Sequence, residues 1–146
     1  MEGIIMNSQL LSYKYLDLES FPNIVLTLHD FESDSEYESL IYVLDKLMET
    51  KESFSLLVET IHVRNMKIKY LFSFGKYIKS LSMNHDIKLS QTRINVYDNI
   101  NFNILTTLFC VLAKPISPVH VYLFEGGYND DNKVRKLQKV KVFEPK

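Results

Sequence analysis

A single cysteine, Cys110, stands in the whole chain. It can form no internal disulfide and no cysteine-based zinc site, and a reducing compartment is its simplest setting. Proline and glycine occur only four times each, which argues against a flexible linker and for one domain. No apolar run approaches the roughly 18 residues of a membrane span. The N-terminus carries Glu2, no basic stretch and only short, broken apolar segments, so it does not read as a signal peptide and the chain is read as cytoplasmic. Strand-following G-x-G-x-x-G, G-x-x-x-x-G-K-[ST] and G-x-S-x-G patterns are all missing. Their absence disfavours glycine-loop nucleotide binding and a nucleophile-elbow hydrolase, and no cofactor is expected. A net charge of −1 gives no general affinity for nucleic acid.

What is present is a chain of 146 residues, 46% of them apolar, enough for one folded domain. Residues 10–18, with Tyr13, Tyr15 and Leu16, are β-prone. Ser20, Phe21, Pro22 and Asn23 make a turn into an apolar strand over 24–28, so an antiparallel hairpin is expected. Ser33 with Glu36, and Ser35 with Glu38, have capping-box spacing. Tyr37, Leu40, Ile41, Leu44, Leu47 and Met48 then recur at helical period, which predicts an amphipathic helix over 36–50. Residues 54–61 read as a buried strand. A second helix is expected over 66–82, with Ile68, Leu71, Phe72, Gly75 and Ile78 as its inner stripe and Gly75 allowing close approach to the sheet. Residues 91–97 alternate as a strand. Asp98 or Asn99 caps a third helix over 101–113, with Ile104, Leu105, Leu108, Phe109 and Leu112 inward. Pro115 and Pro118 end it, 119–124 is a last strand, and Gly126-Gly127 breaks the pattern. The domain is thus placed at 1–127. The tail, 128–146, has weak periodicity at Val134, Leu137 and Val140 and is left as a short helix, an extra strand or a partly ordered end.

The order β-β-α-β-α-β-α-β argues for an α/β domain on a single mixed, mostly parallel sheet. In this order, residues 10–124 resemble the STAS fold of bacterial anti-sigma-factor antagonists. In that family the strand equivalent to 54–61 leads into a loop with an Asp-Ser motif, whose serine a partner kinase phosphorylates. Here the stretch reads Glu59-Thr60-Ile61-His62-Val63-Arg64-Asn65-Met66. It has no Asp-Ser pair, and its one hydroxyl, Thr60, lies early. The resemblance therefore implies a non-enzymatic protein-interaction or regulatory module, without the phospho-switch. Lipid-binding CRAL-TRIO domains share the outline and supply the alternative of a small-ligand or lipid-binding domain.

Four histidines are present: His29, His62, His85 and His120. His29 and His62 follow strands expected to be neighbours, with Asp30 and Glu59 close in sequence, so an acid–base or metal site is conceivable there. No two histidines have ligand spacing, and a metal is not expected. Cys110, between Phe109 and Val111, reads as a buried structural thiol. Charge is distributed unevenly: residues 1–59 hold twelve acids and three bases, and 60–93 hold seven bases and one acid. Arg64, Lys67, Lys69, Lys76 and Lys79 form a basic patch interleaved with aromatics, the candidate partner-binding site. A protein partner or self-association is expected. An acidic helix over 36–50 and a basic one over 66–82 satisfy each other where they are neighbours in one subunit, or meet a second copy, reciprocally across a two-fold or head to tail in a contact that propagates.

Overall fold

A computed structural model describes residues 15–64, 67–81, 86–112, 115–125 and 136–145. The elements are β1 (Leu16–Asp17), β2 (Asn23–His29), α1 (Asp34–Met48), β3 (Phe54–His62), α2 (Ile68–Leu81), β4 (Leu89–Val96), α3 (Asn99–Thr107) with a π turn at Leu108–Leu112, β5 (Val119–Phe124) and β6 (Leu137–Phe143). All six strands join one sheet in the order β1-β2-β3-β4-β5-β6. Strands β2 to β5 run parallel, and β1 and β6 are antiparallel to their neighbours. The α/β class and the element order expected from sequence are those observed. Residues 10–14 of the first expected strand, Met66, Ser82, Asn84, His85, Ala113, Gly126, Gly127 and Val134 lie outside the described residues.

Since spatial neighbours in β2–β5 are also consecutive in sequence, crossovers of one hand lay every helix on the same face of the sheet. The burial pattern agrees. Ile24 and Leu26, Phe54, Leu56 and Val58, Ile94 and Val96, and Val121 and Leu123 alternate into the core, while the residues between them on β2, β3 and β5 are half-buried. Side chains of α1, α2 and α3 meet this inner face. Period-two alternation and a one-sided helix layer are thus two views of the same topology.

The helix starts follow local chemistry. Ser33 caps α1, its Oγ accepting from Glu36 N at 3.2 Å, and Asp98 caps α3, its carboxylate accepting from Asn101 N at 2.6 Å. Each satisfies a backbone donor that has no partner within the helix. The turn before β2 has a cis Phe21–Pro22 peptide, with Asn23 N donating to Ser20 O at 2.8 Å.

Of the alternatives open for the tail, the extra strand is the one observed: Leu137–Phe143 forms the sixth strand, so the sheet extends past residue 127. Three expectations change. The third helix becomes a π turn at Leu108. Leu108 and Phe109 are buried as read, and Cys110, which falls on the opposite side of the turn, is exposed rather than a buried thiol. Gly75 serves a helix contact, not a helix–sheet one: a Cβ there would lie 2.7 Å from Leu108 Cδ1. Finally, Ile68 and Phe72 are not core residues of α2. They are 62% and 50% exposed; Tyr70 is buried instead, and Gly75 is buried as expected.

Candidate functional site

The strand ends bring together residues that sequence singled out. His29 and His62 are register partners on β2 and β3. Their rings stack with centroids 4.9 Å apart and 7° between planes, and Tyr15 stacks on His29 at 4.0 Å. Parallel stacked rings send their nitrogen lone pairs in parallel planes, so they do not converge on one ion at about 2 Å. No cluster of three metal-ligating side chains occurs among the described residues. The nearby carboxylates are engaged in holding the fold. Asp30 accepts from Arg64 N at 3.0 and 3.2 Å. Glu59 accepts from Ile61 N at 3.1 Å and from Asn95 Nδ2 at 3.2 Å. Arg93 Nε donates to Asn95 Oδ1 at 2.9 Å, and its guanidinium lies 4.1 Å from the centre of the Tyr122 ring. This chain of contacts ties β3, β4 and β5 together on the face away from the helices. His120, on β5, is half-buried.

Thr60 is equally committed. It is 6% exposed, and its hydroxyl donates to Asn95 O at 2.5 Å. A kinase reaching it would have to part β3 from β4. Between sheet and helices lies an apolar cavity of about 130 Å³, bounded by residues such as Leu40, Leu56, Phe74, Ile94 and Leu105. Small-molecule sites run to roughly 300–1,000 Å³, so the lipid or small-ligand alternative draws no support from a space of this size. No described helix is long and apolar enough to cross a membrane.

The basic patch sits on and before α2, which packs beside α1. Lys69 Nζ and Tyr70 OH both donate to Asp34 Oδ1 at 2.8 Å, and the Tyr37 and Tyr70 rings lie 5.1 Å apart. The hydrogen bond from Lys69, and then that from Tyr70, hold the Asp34 carboxyl below its ordinary range; the same bond to Asp34 raises Lys69. Burial raises Tyr70, with Asp34 adding to it. Burial also pushes Tyr37 to about 12, and burial, with the Asp45 carboxylate beside its hydroxyl, raises Tyr77. The two helices are therefore neighbours in one subunit. Lys69 is satisfied internally by Asp34.

The rest of the patch points outward. At about 100° per residue, Ile68, Lys79, Phe72, Lys76 and Lys69 fall within an arc of about 100° on α2. All five are exposed, and the buried or half-buried Tyr70, Phe74, Tyr77, Ile78 and Leu81 lie on the opposite side. Arg64 and Lys67, exposed before the helix, extend the basic rim. Sequence reasoning found the bases and missed the apolar pair. The signal was available: the apolar residues of α2 run round the helix from Tyr77 to Phe72 over about 220°, wider than one face can bury. The chain matches no protein-family model, no characterised protein and no solved structure.

Proposed function

We propose that the protein is a non-enzymatic interaction module on a STAS-like sheet, and that it docks a protein partner through the outer face of α2. The carrying observation is the exposure of Ile68 and Phe72, one turn apart, inside a rim of Arg64, Lys67, Lys76 and Lys79. Large apolar side chains set among charges are the usual build of an interface centre and rim. The partner must then offer acidic groups around an apolar patch. The resemblance in element order supports an interaction role, and the buried Thr60 supports one without a hydroxyl switch.

Phe72 sets the scale. It is 50% exposed, which leaves about 100 Å² of a roughly 200 Å² side chain to be covered. At about 25 cal/mol per Å² this contributes at most about 2.5 kcal/mol, or roughly 60-fold in affinity. The test is titration with a fluorescent amphipathic helical peptide carrying leucine and glutamate, against a leucine–lysine counterpart. The acidic peptide is expected to bind, more weakly in high salt, and Phe72→Ser to weaken it by tenfold or more with unchanged circular dichroism. Equal binding of the basic peptide, or indifference to Phe72→Ser, overturns the reading. Co-sedimentation with anionic vesicles in place of peptide binding would assign the face to a membrane and also overturn it.

A further inference from the structure

The outer face of α1 complements that of α2. On α1, Asp34, Asp45, Glu38, Glu49 at the C-cap, Tyr42 and Ser35 fall within about 100° of arc, by the same 100° step. All are exposed, Tyr42 at 48%. One helix therefore presents acids around an exposed tyrosine, with Lys46 Nζ 5.5 Å from the Tyr42 ring centre and 3.9 Å from Glu49, and its neighbour presents lysines around an exposed isoleucine and phenylalanine. Both belong to one layer, joined at their first turns by Asp34 with Lys69 and Tyr70.

Resting on the docking face proposed above, we infer that a second copy of this chain is its partner, in a two-fold dimer of α1–α2 layers. Symmetry fixes the arrangement. A two-fold axis lying in the interface parallel to the helices sets α1 of each subunit on α2 of the other, so both acid–base contacts form at once and the contact closes. An axis perpendicular to the helices would set acid on acid and base on base. The levels also fit. Asp34 lies beside Lys69 and Asp45 near Tyr77, so Glu38 and Asp45 come within about a turn of the levels of Lys76 and Lys79 on the facing helix. Tyr42, Ile68 and Phe72 supply the apolar part.

The size of the face sets the strength. Helices of 15 and 14 residues are about 22 Å long and pack about 10 Å apart, which gives a footprint near 400 Å² per subunit. About 800 Å² in total is below the stable-complex range, so the dimer is micromolar and salt-sensitive. Analytical ultracentrifugation of the full chain from 1 to 500 μM, at about 50 and 500 mM salt, tests this. Reversible dimerisation at low salt, weakened tenfold or more at high salt, is expected. Glu38→Lys with Asp45→Lys, and separately Lys76→Glu with Lys79→Glu, should each give monomers of unchanged circular dichroism. Their equimolar mixture should dimerise again, because the heterodimer holds one native and one doubly reversed contact. A monomeric wild type, a dimer that survives either reversal, or a mixture that stays monomeric overturns the inference. A monomer that still binds the acidic peptide through Phe72 leaves the docking reading standing while this one falls.

Discussion

Replacing Gly75 by alanine sets two opposed effects against each other. In an exposed helix interior, glycine to alanine stabilises by roughly 0.5–1 kcal/mol, because the unfolded chain loses freedom. Here the new methyl would sit 2.7 Å from Leu108 Cδ1, about 1 Å inside the comfortable separation of roughly 3.5–4.0 Å. Leu108 is 3% exposed and has little room to swing away. Forcing a methylene into a packed site costs roughly 1–3 kcal/mol, so the net expectation is a destabilisation of about 1 kcal/mol. Urea denaturation reads this as a lower midpoint at unchanged slope. A cycle with Leu108→Val sharpens the test. The valine alone destabilises by opening space, and Gly75→Ala added to it should cost about 1 kcal/mol less than in the wild type. Stabilisation by Gly75→Ala, or strict additivity in the cycle, would show that α2 does not abut the π turn and would refute the phase assigned to α2.

Other outcomes follow from single contacts. Ser33→Ala should lower stability by about 1 kcal/mol through loss of the α1 cap, and Ser33→Asp should retain it; equal losses in urea melts would contradict the capping role. Thr60→Val keeps the shape but removes the bond to Asn95 O, for an expected loss of about 1–2 kcal/mol; an unchanged midpoint would mean the hydroxyl does not tie β3 to β4. The Asp34 carboxyl titrates below its unfolded value near 3.9, so what it adds to stability is complete above about pH 4 and disappears as pH falls through the folded value. Lys69 is raised, so its share is complete below about pH 10 and is lost in stronger alkali. The pair is exposed and the effect is small. Wild type and Asp34→Asn should differ at neutral pH and converge in acid, and a gap that widens on acidification would reverse the sign argument.

The open face of the sheet shows what sequence proximity leaves unstated. His29, His62, Asp30 and Glu59 do gather at adjacent strand ends. Yet Asp30 is spent on the Arg64 amide, Glu59 on Ile61 and Asn95, and the two imidazoles on each other and Tyr15. Residue types suited to acid–base work here tie strands together. The partner-binding candidate lies elsewhere, on a helix whose side chains face away from the sheet.

The sequence by itself determined most of the local structure. Apolar runs at 24–28, 54–61 and 119–124, the helical period of 37–48 and the caps at Ser33 and Asp98 all appear as read. Each depends on neighbours a few residues apart, where backbone geometry acts directly. Tertiary structure alone decided the strand order, the recruitment of Leu137–Phe143 and the rotation of α2. For α2, periodicity read Ile68, Leu71, Phe72, Gly75 and Ile78 as the inner stripe, and hydropathy alone did not place Tyr70, Phe74 and Tyr77 in the core. Packing decided it: Phe31 and Tyr37 hold Tyr70 in the core, and Leu108 covers Gly75 at the edge of the expected stripe. That packing left Ile68 and Phe72 outside among the lysines. Period and hydropathy report which side chains prefer burial, whereas only packing against distant chain segments reports which of them obtain it.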